Sequence, residues 1–522
     1  MGLEKILSRG AKLYPGKKAV CDNSGISYTY QELDQRVNRL CSALKRCEIS
    51  KGDRIAFLSR NSAEYFTVSF ASARLGAVLV PLNFMFSADE IAYVINHSEP
   101  KTLILDHPYD ETIKELKDRL QTVSSYICMG SKPQDMINYE DLISSSNYEF
   151  PQGEIDESLL SHIIYTSGST GKPKGVMLTH GNFLSMINTF VIEADLNRDD
   201  ILLISMPQFH VGGVPYQFGH LYVGGSCVIA KMFDPQLVAE LIQKEKVTFL
   251  ILVPTAMIRF ILYSDLKKYD LCSLRIFNFG GSSLPFDKFK LAYKLLPVDF
   301  LHTYGLTESS CWLTFNYMPR RELDNIGSDE KLKKRALTCG REGINVEVRV
   351  VDAEDRDIRP GEVGQVIGRG PNIMKGYWKL EEETKKVLKD GWLYTGDMAT
   401  VDEEGNIFIM DRQKDMIISG GENIFSNEVE NVISGHSAVQ EVAVIGVPDD
   451  FWVEAVKAIV VLKEGMVATE EEIIEHCKKS LASYKKPKSV EFWKELPKNT
   501  VGKVTKNVIR EKYWGKKTLQ DI

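Results

Sequence analysis

The hydrophobic and polar positions of this chain fall into two textures. Ser27–Asn61 begins SYTYQELDQRVNRLCSALKRCEISKGDRIAFLS: a short alternating stretch, apolar positions at Leu33, Val37, Leu40 and Leu44, a glycine turn, then an apolar run. Spacings of three and four predict one buried helix face, and an unbroken apolar run predicts a strand covered on both sides, so the unit reads as βαβ. Apolar strands recur at Ala77–Pro81, Thr102–Leu105 and Thr248–Val253, which predicts an α/β body. Between about 340 and 410 the runs shorten and alternate (VEVRVVD, GQVIGRG, GNIFIMD) with D-x-x-G and E-x-G turn signals, predicting a separate antiparallel subdomain. Beyond Asp411 the mixed pattern resumes: a helix from Asn427, strands at Val442–Val447 and Ala458–Leu462, and a helix at Glu470–Leu481. Residues 412–522 are expected to bury a small core of their own. The main boundary is set at Asp411–Arg412, where no Pro/Gly-rich linker marks it.

Composition narrows this by exclusion. A length of 522 residues exceeds one ordinary core and predicts several packed units. A net charge of −7 disfavours binding to a phosphate backbone, and the densest basic cluster, Lys485, Lys486 and Lys488, reads as a solvated face. Nine cysteines without a C-x-x-C pair, and no His-rich cluster at ligand spacing, predict neither a disulfide framework nor a zinc site, which suits a reducing compartment. The N-terminal MGLEKILSRGAKLYPG has no signal-peptide run, and the longest apolar run, Phe249–Leu262, holds Pro254 and Arg259 and falls short of the roughly 20 residues that span a bilayer. A cytoplasmic protein with no integral membrane segment is expected.

The candidate chemistry starts at residues 165–175, YTSGSTGKPKG. After the apolar Ile163–Tyr165, glycines permit close backbone approach and successive N–H groups form a nest for phosphate oxygens, with Lys172 and Lys174 as added charge. It is not a Walker loop, because Thr166 stands where the first glycine belongs and Pro173 follows Lys172. Glu308 reads either as a hard oxygen ligand suited to Mg2+ or as a helix N-terminal carboxylate. Tyr304 reads as a stacking partner for a base or as a core tyrosine, and Asp397 as an acceptor for two hydroxyls or a turn cap. Lys503, after a glycine, projects an ammonium or is merely solvated.

The string at 165–175 resembles the signature loop of the adenylate-forming superfamily, which includes acyl-CoA synthetases, adenylation domains and luciferases. QFHVGG (208–213), GGSSLP (280–285), YGLTES (304–309), GEVGQVIGRGPNIMKGYW (361–378), GWLYTGD (391–397), DRQKDMIISGGENI (411–424) and PKNTVGKVTK (497–506) resemble the same family in the same order. The resemblance implies an α/β fold with a large N-terminal domain (1–410) of two βαβ-type sheets plus a β-rich subdomain at about 335–410. A small mobile α+β lid (411–522) would turn about a hinge at Asp411. It implies an acid–thiol ligase that first forms an acyl-adenylate and pyrophosphate from ATP, then a thioester and AMP. The ATP site would be Thr166, Ser167, Gly168, Ser169, Thr170, Gly171, Lys172, Lys174, Gly281, Ser282, His302, Thr303, Tyr304, Thr307, Asp397 and Arg412. Mg2+ would be held by Glu308 helped by Thr166. Lys503, Glu308 and His210 would be catalytic, and Asp411, Lys414, Ser419, Gly420 and Gly421 would serve the hinge and the CoA tunnel.

No carboxylate occurs from Pro207 to Gly225, which disfavours an amino-acid substrate. Phe209, His210, Val211, Tyr216 and Phe218, with Gly305, suggest an apolar acyl-pocket wall, His210 having a packed-core alternative. The acid expected is a medium- or long-chain fatty acid, with an aryl acid such as benzoate, cinnamate or o-succinylbenzoate as the alternative; Ile418 and Asn423 depart from the Lys and Trp that many fatty-acyl members carry. The chain ends soon after Lys503, so CoA is expected as acceptor rather than a fused carrier domain. The partners implied are the acid, ATP and CoA, with no nucleic acid, and a homodimer is left open. The other classes are a nucleotide-binding paralogue without catalysis and a luciferase-like oxygenase.

Overall fold

The computed structural model describes the chain except residues 1, 132–133, 147–153, 167–171, 264, 283, 325, 327, 420–421, 450, 500–501 and 515–522. The helix predicted from Leu33, Val37, Leu40 and Leu44 runs Tyr30–Arg46 with all four buried, and starts at a capping box in which Thr29 and Glu32 bond each other's backbone N–H. The apolar run at 249–262 splits at Pro254: the expected strand is there as Phe249–Leu252, and the helix Pro254–Tyr263 follows it.

Two large mixed sheets form the body. One has nine strands, with a parallel centre that includes Ile201–Ile204, Phe249–Leu252, Ile276–Gly280 and Asp299–Tyr304. The other has eight, with Arg54–Leu58 flanked in parallel by Val78–Pro81 and Thr102–Asp106, and Leu160–Thr166 beside Val78–Pro81. Helices cover both, and one large apolar cluster joins them through Phe66, Phe70, Phe190, Phe218 and Phe249. The α/β expectation with two βαβ-type sheets holds.

The third sheet is antiparallel: Glu347–Val351, Val363–Arg369, Leu388–Lys389, Trp392–Val401 and Ile407–Arg412. The stretch 335–410 is less self-contained than its turn signals predicted. Arg341–Glu342 pairs into the nine-stranded sheet through Thr314–Phe315, and Gly376–Tyr377 into the eight-stranded one through Val176–Met177. Two-residue strands carry no period to read, so only long-range pairing reveals them. Strand membership changes after Arg412. Ile417–Ser419, Glu422–Ile424, Val439–Asp449, Val453–Leu462 and Ser489–Phe492 form a fourth sheet with its own apolar clusters around Val444 and Ile445. Among the described residues no helix is long and apolar enough to cross a membrane.

Candidate active site

The C-terminal ends of parallel strands, where open α/β sheets bind ligands, bring the separate motifs together. Strand Ile276–Gly280 runs into the Gly281–Ser282 turn, and Asp299–Tyr304 leads to Gly305 and the short 3-10 turn Thr307–Ser309. His210 sits in the turn just before the helix Gly213–Val223. Lys503 arrives from the C-terminal unit, 222 residues after Gly281 in the chain. Gly502 adopts φ +78°, a conformation a side chain resists, and the Lys503 N–H then donates to Asn499 Oδ1 at 2.9 Å. A Cβ placed on Gly281 would lie 3.5 Å from Lys503 Cε and 3.8 Å from its Nζ, so the ammonium rests against that turn. Burial, and next the Arg412 charge, push the Lys503 pKa down to about 8, with Asp397 opposing. Burial also pushes His210 down to about 3, the Lys503 charge adding to it, which places the imidazole near Lys503 and keeps it neutral.

Asp397 and Arg412 face each other across the strand pair Trp392–Val401 and Ile407–Arg412. The Asp397 carboxylate is buried, accepts from the Tyr304 hydroxyl at 2.8 Å and lies 3.4 Å from Arg412 Nε. Tyr304 is thereby tied by its hydroxyl while it packs against the core cluster of Cys339, Val350, Val366, Ala399 and Ile407, so it is a half-buried core tyrosine as well as a ring at the site. Glu308 accepts from the Tyr377 hydroxyl at 2.8 Å, and its carbonyl accepts from Met374 N. Tyr377 belongs to the GYW stretch, and its hydroxyl-to-carboxylate contact with Glu308, 69 residues away, is tertiary. Among the described residues no cluster of three or more His, Cys, Asp or Glu could hold a metal alone. A divalent cation here would need substrate phosphates to complete its shell, which is the way Mg2+ binds.

Several predicted residues are placed differently. Ser167, Gly168, Ser169, Thr170 and Gly171 lie outside the described residues, and so do Gly420 and Gly421. Thr166 ends its strand opposite Lys174. Lys174 is not spare charge: it pairs with Glu383 at 2.6 Å above the Tyr377 ring, whereas Lys172 is exposed over Tyr93. His302 and Thr303 lie near the end of a strand that is paired on both sides. The His302 ring stacks on Phe279 at 4.6 Å and bonds the Thr338 carbonyl, and burial lowers its pKa to about 4. Of the pocket wall, Phe209 and Val211 are at the His210 turn, but Phe218 is a core residue stacked on Phe70 at 4.8 Å. Tyr216, one turn into the helix, is buried with its hydroxyl on Asn278 Oδ1 at 2.5 Å.

Gly305 is a point of close backbone contact. A Cβ there would overlap the Cys311 carbonyl oxygen and come within 2.6 Å of Trp312 Cα. The segment it touches is clamped by Asn372, whose Nδ2 donates to the carbonyls of Ser309 and Trp312 at 3.1 and 3.0 Å. Asn372 lies within the 361–378 stretch, but its two carbonyl partners, about 60 residues away, are set only by folding. At the boundary between third and fourth sheets, Asp411 is buried. Its Oδ2 accepts from Ser426 N at 2.6 Å and its Oδ1 from Arg412 N, so it ties the end of one sheet to the start of the helix Ser426–Ser434. Lys414 is exposed in the intervening turn, and Ser419 is buried opposite Glu422 and Val453.

This geometry has known counterparts. The AMP-binding enzyme family matches residues 7–378, and the AMP-binding enzyme C-terminal domain matches 428–503. The chain belongs to the AMP-binding, adenylate-forming enzymes. This AMP-binding enzyme is 36% identical to a feruloyl-CoA synthase from Amycolatopsis sp., over 97% of this chain and 98% of that one. It is 34% identical to the long-chain-fatty-acid–CoA ligase FadD13 of Mycobacterium tuberculosis, over 97% and 98%. Its fold is similar to the ATP-bound structure of MatB from Rhodopseudomonas palustris, with TM-score 0.88 and 30% identity over 98% and 99% of the two chains. The AMP-binding enzyme is an acid–thiol ligase, an acyl- or aryl-CoA synthetase that uses ATP and CoA as substrates.

Proposed function

We propose that the acid and ATP are joined where Lys503 meets the Gly281 turn, His210 and the Asp397–Arg412 pair. That convergence of distant segments is the observation that carries the reading. The Lys503 ammonium, held in a place that burial makes poor in water, neutralises the charge that builds as a carboxylate oxygen bonds the α-phosphorus and pyrophosphate departs. His210, neutral, offers the acid a hydrogen bond without a competing charge. Asp397 accepts the ribose hydroxyls, beside Arg412. Ser167–Gly171 with Lys172 hold the outer phosphates. Glu308, with Thr166, would hold Mg2+, which when bound supplies charge neutralisation on the phosphates.

In the second step the CoA thiol attacks the acyl carbon, a C–S bond replaces the C–O bond to phosphate, and AMP leaves. Lys503 occupies the centre during the first step, so the unit beyond Asp411 must turn to clear a path for the thiol, with residues 1–410 as the fixed domain and 411–522 as the lid. Phe209 and Val211 receive the apolar body of the acid. On the sequence reading that body is a medium- or long-chain alkyl, and the second reading is an aryl group; the names of the relatives include a feruloyl-CoA synthase and a long-chain-fatty-acid–CoA ligase.

Lys503→Ala tests the centre. Acid-dependent ATP–pyrophosphate exchange is expected to fall by about 10²–10³, while thioester formation from a supplied acyl-adenylate stays largely intact. Equal loss in both half-reactions would remove Lys503 from this role, and exchange that needs no acid would favour a nucleotide-binding paralogue.

A further inference from the structure

Resting on that reading of the site, we infer that Tyr216 closes the far end of the acid pocket, so that the substrate is a compact, ring-sized acid: an arylcarboxylate or short arylalkanoate rather than a long alkyl chain. The pocket opens at the turn of Phe209, His210 and Val211. One residue further, a Cβ on Gly212 would sit 3.9 Å from Tyr216 Cε2 and 4.0 Å from Cys311 Sγ. The phenol ring of Tyr216 and the Cys311 thiol therefore stand directly against the backbone two residues past His210 and bound the space on that side.

Tyr216 is not a door. It is 3% exposed, and its hydroxyl donates to Asn278 Oδ1 at 2.5 Å and accepts from Trp312 Nε1 at 3.3 Å. Asn278 is itself pinned by its Nδ2 to the Leu301 carbonyl at 3.1 Å. Behind the phenol the rings interlock without a break. Trp312 meets Tyr216 edge to face at 4.6 Å, Phe190 meets Tyr216 at 5.0 Å and stacks on Trp312 at 4.7 Å. Phe249 meets Phe190 at 5.6 Å and His220 at 5.1 Å. Trp312, Phe190, Phe249 and His220 are all buried. This column packs between the helix Gly213–Val223 and the strands Phe249–Leu252 and Ile276–Gly280, so on this inference a long chain that followed the helix inward would meet it. An alkyl tail could enter only by breaking the Tyr216–Asn278 bond and the edge-to-face packing together, and a buried polar group left without a partner is costly. A ring that stops at Tyr216 pays neither cost. Phe84, Phe209 and His210, in contact at 5.4 and 4.3 Å, line its entrance with further aromatic surface.

The experiment is an acid screen with the purified full chain, ATP, Mg2+ and CoA, reading ATP–pyrophosphate exchange and CoA consumption. Benzoates, phenylacetates and cinnamates are compared with straight-chain acids from C2 to C18. In the wild type, kcat/KM for the best ring acid is expected to exceed that for C12–C18 acids by about tenfold or more, and Tyr216→Ala to shift the ratio about tenfold toward the longer acids. Wild-type preference for C12–C18 acids would overturn the closed pocket and leave the ligase reading standing; exchange with no acid at all would overturn both. If Tyr216→Ala does not fold, two measurements decide in its place. Tyr216→Phe keeps the ring and is expected to keep the short profile. C12–C18 acids are expected not to compete with a ring acid in the wild type, and competition at equal concentration would overturn the inference.

Discussion

Lys503 shows how a single residue is tuned by its surroundings. Its ammonium is buried beside a second cation, so the folded pKa of about 8 lies below the usual 10.5 of a lysine. For a base whose pKa is depressed, the charged form is present below the folded value and is lost as pH rises through it. Because the proposed role needs the charge, kcat/KM for adenylation, which reports the free enzyme, is expected to decline as pH rises through about 8. In kcat the decline moves to higher pH, since bound phosphates favour the ammonium. Lys503→Arg, whose guanidinium stays protonated, is expected to retain a small activity without that limb; a limb that survives the substitution assigns it to another group. His210, at about 3, adds no limb near neutrality. The identity of Lys503 was readable from its motif, but its depressed pKa comes from burial and then from Arg412, which only folding supplies.

At the scale of elements, the strand ends and their turns do more than hold side chains in place. The segment from Gly305 to Trp312 crosses itself so closely that one methyl group does not fit, and the atoms it would strike are backbone, unable to swing aside. Gly305→Ala is expected to cost about 1–3 kcal/mol, seen as a lowered thermal midpoint together with a raised KM for ATP; an unchanged midpoint would show that the loop relaxes. Regular elements were legible in advance, because a capping box at Thr29 and Glu32 and a helical repeat through Leu44 are local signals. The two-residue strands Arg341–Glu342 and Gly376–Tyr377 were not, because their partners lie up to about 200 residues away and no local pattern announces them.

At the scale of the molecule, Asp411 joins two sheets that belong to different units, and its carboxylate holds Ser426 from across the junction. On the proposal that the lid turns here, Asp411→Pro would fix φ and remove this clamp. CoA-dependent thioester formation is expected to slow more than pyrophosphate exchange, with Asp411→Asn as the control that keeps the side-chain shape. Equal rates in both half-reactions for the proline variant would take Asp411 out of the mechanism. The sequence by itself determined the βαβ body, the family and the residue types at the centre, because periodicity and motif spacing are written in neighbouring positions. Tertiary structure alone decided that Lys174 is already paired, that the His302 ring and Phe218 pack in the core, that Tyr377 bonds Glu308, and that Tyr216 packs against Trp312 and Phe190. The physical reason is the same in each case. Which groups meet is settled by packing between segments far apart in the chain, and a side chain's partner, charge and accessible space exist only once those segments meet.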